Sequence, residues 1–198
     1  MTIEKNSHPL IADINGDFLD DVLYTDSSSG QIKVAFQAVV GGDETFIVKD
    51  FASSIPMAKP EDGCLTWSSS NVRLTSPHSA SMIDFDGDCM SDLFLTVQDA
   101  SSGAKYYEIW IRRETQTVID LNTNQVTKPK VTDDGSLPKD SLTGLQSYCL
   151  VTREEIPSGI HNMFSFADVD RDGMVDMVYM KDDRSPMVLY THYNKLQN

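Results

Sequence analysis

The sequence predicts an all-β fold made of antiparallel β-propeller blades, about three of them with four strands each. Three observations lead there. An acidic nine-residue pattern, D-x-[DN]-x-D-x-x-x-D, occurs three times, starting at Asp13, Asp84 and Asp168. Each copy runs straight into a short apolar stretch: Val22-Leu23-Tyr24, Leu93-Phe94-Leu95 and Met177-Val178-Tyr179. These stretches are too short for helices and rich in the residue types that suit a pleated surface. Further strand-like runs lie between the copies, separated by clusters of Gly, Ser, Pro and Asp that reverse a chain.

Taken in order, the first group is expected over residues 8–58. Its apolar entry is Leu10-Ile11-Ala12, its second strand begins at Val22, and runs at 31–39 and 45–48 complete it. Turn clusters at 26–30 and 41–43 separate these runs. The second group is expected over 77–127, with strands entering and leaving the loop at 84–92 and two more at 106–112 and 116–121. The third is expected over 161–198, with a last strand at 187–193 and no outer strand after it. Residues 59–76 and 128–160 are then insertions, and 127–138, rich in Pro, Lys and Asp, suits a solvent-facing loop. The one helical candidate, a weak one, is 140–146. Strands in groups of about four, with one motif per group, describe propeller blades. Three blades do not close a ring, and an open fan exposes sheet edges and apolar faces. The whole of 1–198 is therefore expected to be one segment of a larger propeller. The remaining blades belong to the same or another chain.

The formal charge of −14 is local. The windows 13–21, 84–92 and 168–176 hold four acids each and one base, Arg171; elsewhere acids exceed bases by only three. No basic stripe offers a nucleic acid a footprint. No apolar run approaches the roughly 20 residues of a membrane helix. The first residues carry no apolar signal core, so a secreted or membrane-anchored parent is expected to hold those segments elsewhere.

Four carboxylate or amide side chains within nine residues of a turn repel one another and oppose folding unless a cation joins them. One such loop can be a plain Asx-type turn; three copies with the same closing Asp point to a metal. Calcium takes six to eight oxygen ligands, whereas magnesium keeps several waters. No His or Cys recurs at ligand positions, so zinc and copper suit the loops poorly. An EF-hand needs flanking helices and a Glu at position 12; here position 12 is Tyr24, Leu95 and Tyr179. The expectation is three calcium sites.

These loops resemble the calcium-binding FG-GAP repeats of integrin alpha chains, most of all Asp13-Ile14-Asn15-Gly16-Asp17-Phe18-Leu19-Asp20-Asp21. The longer strings 77–95 and 166–178 are similar to the T-cell immunomodulatory protein family, which also carries FG-GAP-type repeats. The resemblance implies a seven-bladed propeller in a longer extracellular or cell-surface protein with a signal sequence and a membrane anchor. It implies ligands Asp13, Asn15, Asp17, the Leu19 carbonyl and Asp21. The corresponding sets are Asp84, Asp86, Asp88, the Met90 carbonyl and Asp92, and Asp168, Asp170, Asp172, the Met174 carbonyl and Asp176. Asp20 and Ser91, at position 8, are expected to face outward. The steep turn is expected to be built differently in the third loop, where Gly173 at position 6 replaces the Gly16 and Gly87 of position 4.

The function expected is a non-enzymatic, extracellular module for protein interaction or cell adhesion, with structural calcium and partner contacts from the variable loops. The alternative is the propeller portion of a secreted hydrolase or a carbohydrate-binding protein. Catalysis by the acids is disfavoured because an active site is made once, and these acids come in three sets. No nucleophile elbow, phosphate loop or dinucleotide fingerprint is present. His8, His78 and His161 precede the loops at offsets of five, six and seven residues, so alternation along a strand aims them differently. Capping or turn roles suit them better than a shared site. Cys64, Cys89 and Cys149 allow one disulfide. For Cys89, a bond to one of the others or a buried thiol is expected.

Overall fold

A computed structural model describes residues 1–40, 42–55, 63–67, 71–75, 80–120, 126–127, 141–156, 160–181 and 186–189. Within them the chain is all-β apart from one short helix, and every strand pairing is antiparallel. The first sheet has the order β1 (Leu10–Ala12), β2 (Asp21–Thr25), β3 (Ile32–Val40), β4 (Asp43–Asp50), a meander joined by tight turns. The helix α1 (Phe51–Ser54) follows directly.

The second sheet is built on β7 (Asp92–Asp99) and β8 (Lys105–Asp120). One edge of β7 carries β6 (Ala80–Ile83) and, further along, β5 (Val72–Leu74). The far edge of β8 is covered by β10 (Ser141–Glu155), with β9 (Val126–Thr127) pairing its end. The third sheet has the order β11 (Ile160–Ala167), β12 (Asp176–Lys181), β13 (Pro186–Leu189) among the described residues. No helix among the described residues is long and apolar enough to cross a membrane.

The strands of the first sheet lie where the sequence places them, and those of the second need correction. The runs 106–112 and 116–121 are one strand, β8, because Arg113-Glu114-Thr115 offers no turn chemistry between them. The fourth strand is β10, inside the stretch read as an insertion, and the helical candidate 140–146 lies in it. Residues 59–76 are no simple insertion either. The β5 segment pairs β7, and Thr75 N–H donates to the Thr96 carbonyl at 3.0 Å. Ile3 and Glu4 repeat this 71 residues earlier: Ile3 bridges Asp26, and Glu4 N–H donates to the Thr25 carbonyl at 2.9 Å. The edge strand of each group thus starts further upstream than the apolar pattern suggests. Most of 127–138, and 190–193 of the last expected strand, lie outside the described residues.

Alternation divides each sheet into two faces. Leu23, Val34 and Phe36 of the first sheet pack in one core with Leu93, Leu95 and Trp110 of the second. Phe94, Ile109 and Ile111, on the opposite face of the second sheet, pack in another core with Phe164, Phe166 and Met177 of the third. The sheets therefore stack face to face in chain order, with the second sheet covered on both sides.

One strap is held onto the second sheet. Cys64 is disulfide-bonded to Cys149 of β10 across 85 residues, and Leu65 N–H donates to the Leu150 carbonyl at 2.7 Å. Trp67 packs edge-to-face on Phe51 and Trp110. Both indoles donate to the buried Glu108 carboxylate at 3.0 Å, and Arg153 lies 3.0 Å from it. Burial pushes Glu108 up to about 7 against the opposing pull of Arg153. Cys89 is neither disulfide-bonded nor buried: it is a free, exposed thiol on a loop tip.

Candidate metal centres

Each acidic window closes as the same hydrogen-bonded loop. The carboxylate at position 1 accepts from the N–H of position 6: Asp13 from Phe18 at 3.0 Å, Asp84 from Cys89 at 3.0 Å, Asp168 from Gly173 at 3.1 Å. The oxygen at position 3 accepts from the N–H of position 5: Asn15 from Asp17 at 3.1 Å, Asp86 from Asp88 at 3.3 Å, Asp170 from Asp172 at 3.2 Å. Position 5 accepts from position 7: Asp17 from Leu19 at 2.9 Å, Asp88 from Met90 at 2.8 Å, Asp172 from Met174 at 2.8 Å. These bonds use part of each oxygen's lone-pair capacity and turn positions 1, 3 and 5 toward the loop interior.

Position 9 locks the loop to its strands. Asp21, Asp92 and Asp176 are fully buried. They accept from the N–H of position 2, Ile14 at 3.0 Å, Phe85 at 2.8 Å and Val169 at 2.9 Å. The second oxygen of Asp21 accepts from Gln37 N–H at 3.0 Å, and that of Asp92 from Arg112 N–H at 2.7 Å. Both donors sit on the neighbouring strand, so each carboxylate joins loop, second strand and third strand. Without these acceptors the buried N–H groups would be orphaned.

The expected difference in the third turn does not exist. Positions 4 and 6 both have positive φ in every loop: Gly16 83° and Phe18 66°, Gly87 76° and Cys89 67°, Arg171 64° and Gly173 89°. Each loop spends one glycine on two left-handed positions and forces an ordinary residue into the other. Phe18 is 96% exposed there.

In the second loop, carboxylate oxygens of Asp84, Asp86 and Asp88 lie within 4.8 Å of one another; in the third, those of Asp168, Asp170 and Asp176 do. Asp92 is instead bound to backbone donors, and the first loop has the Asn15 amide donating to Asp17 at 3.0 Å in place of one acidic member. Burial raises the Asp17 carboxyl above the usual range, and burial with the charge of Asp88 raises Asp86. Burial pushes both Asp21 and Asp92 up to about 7, against the pull of their backbone donors. Such loops hold negative charge at a cost that a divalent cation offsets, and their donor set is all oxygen, as calcium or magnesium requires. Asp20 and Ser91 are exposed, as position 8 was expected to be.

The loops are also tied to one another's surroundings. Tyr148 of β10 donates its hydroxyl to the Ile14 carbonyl at 2.8 Å. The Met174 sulfur lies 3.8 Å from where a Cβ on Gly87 would stand. Neither link is readable from sequence, because each joins residues of different repeats. His8 is exposed, and His78 and the His161 side chain lie outside the described residues.

Two curated proteins, each named T-cell immunomodulatory protein homolog, are similar to this chain. The one from Plasmodium yoelii yoelii is 25% identical over 181 residues, covering 87% of this chain and 20% of its own. The one from Plasmodium falciparum (isolate 3D7) is 27% identical over 175 residues, covering 87% and 19%. The chain thus spans about a fifth of the length of the curated relatives it matches. No family model and no solved structure matches it.

Proposed function

We propose that the three loops each bind one calcium ion and that the calcium is structural, bracing a segment of an FG-GAP-type β-propeller. The observation that carries this reading is the threefold recurrence of one oxygen-lined loop, down to the hydrogen bond from position 2 to the buried Asp at position 9. The ligands are Asp13, Asn15, Asp17, the Leu19 carbonyl and Asp21. The second set is Asp84, Asp86, Asp88, the Met90 carbonyl and Asp92, and the third is Asp168, Asp170, Asp172, the Met174 carbonyl and Asp176. Calcium neutralises each cluster and fixes two strands of a sheet at one end. The parent protein works at the cell surface or outside the cell, as an interaction or adhesion module without catalysis. The Cys64–Cys149 bond supports that compartment, since disulfides persist where thiols are not kept reduced.

Because calcium binds only the folded loops, stabilisation grows with its concentration as RT ln(1 + [L]/Kd), about 2.7 kcal/mol at a hundredfold excess over Kd. Calorimetric titration of the chelator-treated chain is expected to show three sites, with the melting temperature rising in calcium. A melting temperature indifferent to excess chelator would sink the structural role. Saturation by magnesium at equal affinity would sink the choice of ion.

A further inference from the structure

Tyr148 stands between the first two acidic loops. It is fully buried in the core shared by the first and second sheets, on the face of the second sheet away from the third. Its backbone is held from two directions. Arg112 is its partner in the β8–β10 pairing, and the next residue, Cys149, is disulfide-bonded to Cys64. A side chain anchored in this way offers a preset hydrogen-bond donor. The hydroxyl donates to the carbonyl of Ile14, position 2 of the first loop, at 2.8 Å. Charged groups around that hydroxyl include Arg112, Asp92, Asp13 and Asp21, with acids of both loops among them.

The bonds on either side of Tyr148 lead to the two closing carboxylates. Ile14 donates its N–H to Asp21 at 3.0 Å, so one residue is held by Tyr148 at its carbonyl and by Asp21 at its amide. On the other side, Arg112 donates its N–H to Asp92 at 2.7 Å. The second Asp92 oxygen accepts from Phe85, position 2 of the second loop, at 2.8 Å. Ile14, Asp21, Tyr148, Arg112, Asp92 and Phe85 are all 8% exposed or less. Burial leaves no bulk water to replace a displaced partner, so a shift at one end of this path costs a buried hydrogen bond at the other.

We propose that Tyr148 is a positioning residue that couples the first two loops, so that calcium in either one raises the affinity of the other. An ordered first loop puts the Ile14 carbonyl where Tyr148 reaches it. That fixes the end of β10 on β8 and aims the Arg112 N–H at Asp92. The proposal rests on the calcium reading above and adds that two of the three sites fill together. The third loop belongs to the sheet on the opposite face of the second and fills independently of Tyr148. Linkage makes the coupling reciprocal, and one hydrogen bond places it at the low end for coupled sites, about fivefold.

Nuclear magnetic resonance can follow the loops one by one in the full chain. The amides of Gly16, Gly87 and Gly173 each donate to the position-1 carboxylate of their own loop. Chelator-treated protein is titrated with calcium alone. Tyr148→Phe keeps the ring in the core and removes only the hydroxyl. It is expected to weaken calcium about fivefold at both Gly16 and Gly87 and to leave Gly173 unchanged. The double variant Asp13→Ala with Asp17→Ala empties the first loop. It is expected to weaken the second loop by the same factor, and to have no effect there once Tyr148→Phe is also present. A Tyr148→Phe chain with a lower melting temperature in chelator but an unmoved Gly87 titration would reduce Tyr148 to a structural support and overturn the coupling. So would a second loop indifferent to the emptied first one; both results leave the calcium reading standing. No calcium-dependent shift at any of the three glycines would overturn that reading and the coupling together.

Discussion

The first and second sheets share their acidic loop and their upstream edge contact, yet obtain their fourth strands in opposite ways. β3 reaches β4 through residues 41–42, whereas β8 and β10 are separated by residues 121–140. Closing the longer connection costs more chain entropy, roughly 0.6 kcal/mol for each doubling of loop length. The second sheet offsets this with contacts that the first does not need: a long β8–β10 pairing, the Cys64–Cys149 bond, and Arg153 of β10 on the buried Glu108. A local hairpin is stabilised by its turn. A remote strand has to be fastened, and here the fastening also carries Trp67 into the core.

The largest effect should therefore fall on the staple. Replacing Cys64 and Cys149 together by Ser is expected to lower stability by about 4.6 kcal/mol, the loop-entropy value for a closure of 85 residues. The loss should be uneven. Amide exchange is expected to accelerate in β10 far more than in β4. Equal acceleration would mean that the disulfide stabilises the unfolded-state balance alone and does nothing particular for the remote strand.

The loops, by contrast, should respond alike in the two sheets. Asp21→Ala removes the acceptor of the Ile14, Asn15 and Gln37 N–H groups, and Asp92→Ala that of Phe85 and Arg112. Each is expected to cost about 3 kcal/mol in chelator, the penalty for two or three backbone donors left without acceptors. Urea unfolding measures both. A difference beyond about 1 kcal/mol, outside ordinary context dependence, would show that the closing Asp does different work in the interior sheet than in the outer one.

The same two carboxyls set a pH dependence. Burial holds both near 7 in the folded chain, above their ordinary value of 3.8. The folded state then binds more protons than the unfolded one between those values, so chelated protein loses stability as pH rises through the window. The melting temperature of chelated protein is therefore expected to fall between about pH 4.5 and 8. Calcium favours the ionised form, so melting temperatures in saturating calcium are expected to flatten or rise over that range. Parallel pH profiles with calcium and with chelator would break the link between these carboxyls and the ion.

What the sequence made legible follows the same division between local and remote. The D-x-[DN]-x-D-x-x-x-D spacing determines the hydrogen bonds inside each loop, where every acceptor lies within eight residues of its donor, and the three loops close as their pattern implies; the bonds from Gln37 and Arg112 to the closing Asp come from the neighbouring strand. The first sheet was readable because its turns are short and marked by Gly, Asp and Ser. β10 was not, because its partner β8 is contributed from far away, and Asp140 to Gln146 carries no periodicity that separates strand from helix. The β5 segment was hidden for a related reason: it shares the edge of β7 with β6 but is only three residues long, so no apolar run marks it. The exposed position of Cys89 follows from its left-handed φ of 67° at a loop tip, which the alternation of apolar residues does not encode.

The smallest effect tests whether the loops share a backbone rather than a composition. Phe18 and Arg171 occupy left-handed positions at φ 66° and 64° that their counterparts in another loop fill with glycine. Removing the Cβ penalty should stabilise by about 1 kcal/mol, so Phe18→Gly and Arg171→Gly are expected to raise the urea midpoint slightly. Phe18 is 96% exposed, so its ring contributes little burial to set against this gain. The reverse change, Gly173→Ala, should cost a similar amount. No neighbouring atom lies within 4 Å of the new methyl group, so backbone conformation is the only source of that cost. A midpoint unmoved by Gly173→Ala would mean that the third loop relaxes away from the geometry of the other two. That would restore the expectation, drawn from sequence, of a turn built differently there.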